Sequence, residues 1–173
     1  SRRFEDWLAL APTDGPPGTV QAKGLAAVQC YQSALERVTP APHELSEIKL
    51  AVDLARGAAQ STALWLRERY PGVQWVVLGT DDGLINDGVG SEHPQALCET
   101  VLAEGCDGGF AVDGDADRCV LVDDQGRVVP GDALAWLLAR GLGVSSLAVT
   151  VMSNGALEPS LPGVRVERTP VGD

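Results

Sequence analysis

The sequence predicts an α/β protein: a three-layer α/β/α domain on a mostly parallel mixed sheet that carries an antiparallel edge strand. Three observations predict it. Short apolar runs, IKLAVDL (48–54), VQWVVLG (73–79) and GGFAVD (108–113), have the length and continuity of strands buried on both faces. Between them lie stretches with apolar residues at helical spacing, and that alternation favours parallel strands joined by crossover helices. The third observation is an exception. Only GDADR separates GGFAVD from CVLVDD (119–124), too short for a parallel crossover, so this strand must run antiparallel.

The elements follow in order. FEDWLAL (4–10) resembles the last turns of a helix, and APTDGPPG (11–18) reads as a linker. LAAVQCYQSALERV (25–38) has helical apolar spacing and stops before TPAP, where proline discourages continuation. IKLAVDL then forms a strand, RGAA a tight turn, and STALWLRERY (61–70) a helix. VQWVVLG is the second strand, and GTDDGLINDGVGSEHP (79–94) is a loop too polar to pack. Pro94 suits a first helical turn, and QALCETVLAEG (95–105) ends at a glycine stop. After CVLVDD comes the turn DQGR, and Gly131 and Asp132 introduce the apolar helix ALAWLLARGLG (133–143). SLAVTVM (146–152) and VRVERTP (164–170) are further strands. Trp65, Trp75 and Trp136 fall inside these elements and are most simply core.

Composition excludes several classes. With 45 % hydrophobic and 21 % charged residues, the chain is not globally disordered. A formal net charge of −11 argues against a nucleic-acid or anionic-membrane surface. No apolar run approaches membrane-spanning length, and SRRFEDWL lacks the apolar core of a signal peptide, which makes the cytoplasm the default location. Cys30, Cys98, Cys106 and Cys119 form no CxxC pair and no zinc-ligand spacing with His43 and His93. They read as buried or half-buried free thiols.

The stretch FAVDGDADRCVLVDD (110–124) concentrates charge at one turn. Asp113, Asp115 and Asp117 alternate, so in an extended segment their side chains project to one side and their carboxylates repel one another. A hard divalent cation removes that cost, and carboxylate oxygens are the ligands magnesium prefers. Gly114 and Ala116 are small enough for the backbone to curl around an ion. The EF-hand reading fails, because Arg118 stands where that loop needs glycine and Asp124 where it needs glutamate. A solvated acidic turn is the competing reading. Arg118, beside a magnesium site, could pair with a phosphate that also ligates the ion, or could merely offset the three carboxylates. Asn86 is explained by turn formation, His93 by capping or packing at a helix start, and Asp53 by stabilising the turn before RGAA.

Several motifs stand in one order: IKLAVDLARGAA, LGTDDGLINDGVGSEHPQAL, GGFAVDGDADRCVLVDDQGRVVPGD and a terminal TPVGD. Together they resemble the second domain, and the opening of the third, of the α-D-phosphohexomutases, whose metal-binding loop is DGDADR. The resemblance covers residues from about 48 to 173. It implies a metal-binding α/β domain over 20–143, with 1–19 a remnant of the first domain and linker, and 144–173 the start of the third. It implies that Asp113, Asp115 and Asp117 ligate Mg2+ and that Arg118 holds a phosphate, with Gly172 and Asp173 opening a loop near the sugar. The implied enzyme is an isomerase that moves a phosphoryl group from a phosphoserine to a hexose phosphate and back, through a bisphosphate. VTVMSNGAL before VGD favours an amino-sugar phosphate as substrate, although Pro170 replaces the basic residue often found before VGD. A mannose- or glucose-phosphate mutase is the alternative, or a non-catalytic metal-binding module of the same descent. The phosphoserine context, the sugar-selecting loop and the phosphate loop of the last domain do not appear in these residues. The expected partners are therefore the remaining domains of the same enzyme and the sugar phosphate, with no nucleic acid and no membrane.

Overall fold

The computed structural model describes residues 24–171, so FEDWLAL, the APTDGPPG break, Gly172 and Asp173 lie outside the described residues. The chain divides into two units, Ser1–Thr39 and Pro40–Asp173. In the first, α1 spans Gly24–Leu35, with Val28 and Tyr31 exposed on it.

The second unit holds a five-stranded sheet. Its strands are β1 (Lys49–Asp53), β2 (Gln74–Leu78), β3 (Gly108–Val112), β4 (Cys119–Asp123) and β5 (Val128–Val129), in the spatial order β2-β1-β3-β4-β5. The first three are mutually parallel, with Ala51 opposite Val76 and Gly109. β3 and β4 are antiparallel, with Val112 opposite Cys119, and β4 pairs antiparallel with β5. The expected mixed sheet is present, and its antiparallel edge is one strand wider than the sequence suggested. β5 escaped notice because two residues before Pro130 give no periodicity to read.

Side chains alternate across the sheet, so each strand feeds two cores. On one face, Ala51, Ala111 and Val122 pack with Leu97 and Val101 of α3 (Gln95–Glu104). On the other, Val52, Trp75, Val77 and Phe110 pack with Ala63 of α2 (Gln60–Arg69). That is the expected three-layer sandwich. α3 lies so close to β3 that a Cβ on Gly109 would stand 3.0 Å from both Leu97 Cδ1 and Val101 Cγ2. The helix stops at Gly105, whose φ of 62° is the left-handed conformation that glycine adopts without strain.

α4 (Gly131–Gly141) leads to a second, two-stranded parallel sheet of β6 (Ser146–Thr150) and β7 (Arg165–Thr169), with the short α5 (Leu157–Ser160) between them. Trp136 Nε1 of α4 donates to the Ser160 carbonyl at 3.0 Å, and Asp132 accepts from the Asn154 amide at 3.1 Å.

Three expectations need correction. Trp65, Trp75 and Trp136 are all half-buried; Trp75 packs against the core on the α2 face, as expected, whereas Trp65 and Trp136 belong to neither buried cluster. Cys30 and Cys119 are exposed, while Cys98 is half-buried and Cys106 buried; all four are free thiols. The loop over 79–94, judged too polar to pack, is instead laced to the sheet by backbone bonds. The Asn86 amide donates to the Ala55 carbonyl, and the Ser91 amide to the Val112 carbonyl. Polarity did not prevent packing because the loop's contacts are hydrogen bonds, not apolar burial.

Candidate metal centre

β1 and β3 end side by side, and the loops leaving their carboxyl ends build the site, where parallel α/β sheets place ligands. Asp53 closes β1. It is fully buried, and its two carboxylate oxygens accept from the Ala55 amide at 2.9 Å and the Gly90 amide at 2.8 Å. Asp53 thus stabilises its own turn, as the sequence suggests, and also clamps the 79–94 loop.

The next turn makes a second close approach. The Ala58 amide donates to the Gly114 carbonyl at 2.8 Å, and a Cβ on Gly57 would lie 2.2 Å from that oxygen. Only glycine lets the two loops touch. On the far side of Gly114, a Cβ would meet Ile85 Cγ2 at 2.4 Å and Asn86 Nδ2 at 3.1 Å. Gly114 is therefore held between two loops, and Ala116 completes the curl with φ 63°, its backbone N–H donating a hydrogen bond to the Asp113 carbonyl.

That curl brings Asp113, Asp115 and Asp117 together, with one carboxylate oxygen of each within 4.8 Å of the others. Asp113 is buried, while Asp115 and Asp117 face solvent. The environments differ accordingly. The Arg118 amide, at 3.0 Å from Oδ1, is the main reason the Asp113 carboxyl is held down to about 2; the Arg118 Nε hydrogen bond to Oδ2 adds to it. Asp117 is pushed above the usual carboxylate range, chiefly by the charge of Asp115 and then by that of Asp113. Repulsion between the carboxylates thus exists in the folded chain. A hard divalent cation fits this donor set: oxygen ligands of like charge converge, and a cation relieves their repulsion.

Arg118 lies beside the cluster. Its Nε bonds Asp113 and stands 3.7 Å from Asp117 Oδ1, and its Nη1 donates to Glu92 Oε1 at 2.6 Å. The Glu92 bond is the largest reason its guanidinium is held above the ordinary arginine value. Glu92 was not foreseen, because nothing in GSEHP marks it and its partner lies on another strand end.

Arg56 was also missed. With φ 56°, it turns a largely covered side chain under the 79–94 loop, pairing with Asp81 at 2.7 and 3.0 Å and donating to the Asp87 carbonyl at 2.8 Å. Asn86 behaves as the sequence suggests: its φ of 62° is a turn conformation that asparagine tolerates. His93 does not. It is exposed and lies one position outside the helix, because the N-cap of α3 is Pro94, which has no polar side chain to offer as a cap.

Known proteins resemble this chain along nearly all of its length. It is 42 % identical over 171 residues to a phosphoglucosamine mutase of Pelotomaculum thermopropionicum, covering 94 % of this chain and 38 % of that protein. A phosphoglucosamine mutase of Heliobacterium modesticaldum is 44 % identical over 180 residues, covering 99 % and 38 %. The chain belongs to the α-D-phosphohexomutase family. Solved structures agree with the fold. A phosphoglucomutase/phosphomannomutase family protein of Burkholderia thailandensis matches 72 % of this chain, and 30 % of its own length, with a TM-score of 0.64 at 25 % identity. A putative phosphomannomutase of Thermus thermophilus matches 83 % of this chain and 36 % of its own, with a TM-score of 0.69 at 18 % identity. No protein-family model matches the chain. The chain spans about two-fifths of the length of the curated relatives it matches. Among the described residues, no helix is long and apolar enough to cross a membrane.

Proposed function

We propose that this chain is the metal-binding part of a phosphoglucosamine mutase, interconverting glucosamine 6-phosphate and glucosamine 1-phosphate. The reaction would run through a phosphoserine borne outside these residues and a bisphosphate intermediate. One observation carries the reading: the three aspartates converge beside Arg118, in a chain 42–44 % identical to proteins of that name. Asp113, Asp115 and Asp117 would hold Mg2+, which supplies positive charge against a phosphoryl group in transfer.

The chain's own residues have separable tasks. Asp113, ionised under all ordinary conditions, is both ligand and anchor for Arg118. Asp115 and Asp117, exposed, would be open to a phosphate presented by another domain. Arg118, held by Asp113, offers a planar donor set to that phosphate. Gly57 and Gly114 fix the loop to the turn after β1, so the ligands are preorganised by backbone contacts.

The test is a coupled assay on the polypeptide that carries this segment, offering glucosamine 6-phosphate, glucose 6-phosphate and mannose 6-phosphate in turn. Turnover of the amino sugar above the others, lost in Asp115→Asn, is the expected result. Preference for glucose or mannose phosphate would move the assignment to a phosphoglucomutase or phosphomannomutase. Binding of metal with no turnover of any sugar phosphate would mark a non-catalytic module.

A further inference from the structure

We propose that Glu92 is an anionic placeholder on Arg118, occupying a donor of the guanidinium until a phosphate displaces it. The inference rests on the reading of Arg118 as a phosphate contact. Arg118 divides its donors by direction: Nε points to Asp113 Oδ2 at 3.0 Å, and Nη1 points to Glu92 Oε1 at 2.6 Å. The first contact involves a buried carboxylate and holds the side chain to the loop. The second involves two side chains that are 56 % and 52 % exposed to solvent. A carboxylate there meets the guanidinium as a phosphate would, with oxygen acceptors against planar N–H donors.

Glu92 is held in place by its own segment. The Gly90 amide is bonded to buried Asp53, and the Ser91 amide to the carbonyl of Val112, next to Asp113. Those backbone bonds fix position 92 against the metal loop. The side-chain pair itself is weak, as exposed ion pairs are, so an arriving dianion can displace it. The arrangement has two consequences. Without phosphate, Glu92 keeps Arg118 extended and prevents it from folding further onto Asp117, which stands only 3.7 Å from Nε. A phosphate that takes Nη1 displaces Glu92, so Glu92 lowers affinity and sharpens the preference for doubly charged ligands.

The experiment titrates O-phosphoserine, with magnesium present, into the isotope-labelled full chain and follows the Arg118 resonances by NMR. Glu92→Gln is expected to bind the probe about two- to five-fold more tightly than wild type, the range an exposed ion pair commands. Asp82→Asn removes the same charge from the same loop without touching Arg118, and is expected to change affinity less. In an Arg118→Ala background, Glu92→Gln is expected to add nothing. Equal gains from Glu92→Gln and Asp82→Asn would reduce the effect to net charge and overturn the proposal, as would unchanged or weaker binding by Glu92→Gln while Arg118→Ala loses affinity. If Arg118→Ala itself binds the probe like wild type, the phosphate role of Arg118 fails, and Glu92's role fails with it.

Discussion

Asp113 and Asp117 stand four positions apart and are shifted in opposite directions, one to about 2 and the other above the usual 3.8. The signs have separate consequences. Asp113, lowered in the fold, contributes stability that is complete above pH 3.8 and is lost as the pH falls toward 2. Asp117, raised in the fold, opposes folding while it is ionised, and the opposition fades as acid protonates it. A divalent cation reverses the second effect at neutral pH. Magnesium at a hundred-fold excess over its Kd is therefore expected to raise the melting temperature by roughly 5–10 °C at pH 7. The gain should shrink through the raised Asp117 range, before Asp113 protonates; a melting temperature indifferent to magnesium at pH 7 would count against the site. Asp115→Asn removes one of three charged ligands, and calorimetry is expected to show cation affinity reduced on the order of ten-fold. Identical isotherms for that variant and wild type would place the ion elsewhere.

The strands that carry these residues were legible because parallel strands buried on both faces read as continuous apolar runs, and IKLAVDL, VQWVVLG and GGFAVD all do. The antiparallel return of β4 was legible from loop length alone. The three aspartates were legible because their convergence is local, held within five residues, although a turn with Ala116 at φ 63°, and not the alternation of an extended strand, brings them together. What was not legible is what one loop does to another. Arg56 under the 79–94 loop, Glu92 on Arg118 and Gly57 against Gly114 join positions 25 or more residues apart, and no periodicity encodes such pairs. The Gly57 contact predicts a loss that sequence alone would not suggest. Gly57→Ala drives a Cβ to within 2.2 Å of the Gly114 carbonyl, so the metal loop must shift. Overpacking of this kind costs about 1–3 kcal/mol, and cation binding should weaken with it, read together by thermal melts and calorimetry. Asp53→Asn should cost a similar 1–3 kcal/mol, because an amide NH2 would face either the Ala55 or the Gly90 amide, leaving a buried donor unpaired.

At the scale of the whole chain, 24 acidic residues outnumber 13 basic ones, and the ligand of the proposed enzyme is an anion. Such a surface repels sugar phosphates unless local positive charge intervenes. The local charge available at the site is Arg118 and whatever cation the aspartates hold, and both serve a phosphate without selecting or attacking a sugar. Holding a phosphate and transferring one are different capacities. Transfer needs a nucleophile poised in line and contacts that orient the sugar, and neither follows from three carboxylates and one guanidinium. The 173-residue chain by itself is therefore expected to bind divalent cation and to show no mutase turnover. The same preparation should be assayed by cation calorimetry and by coupled conversion of glucosamine 6-phosphate. Turnover that rises in proportion to the purified chain would show that residues 1–173 carry their own phosphoryl acceptor. Cation binding without turnover would separate the metal loop's contribution from that of the remaining three-fifths of the relatives' length.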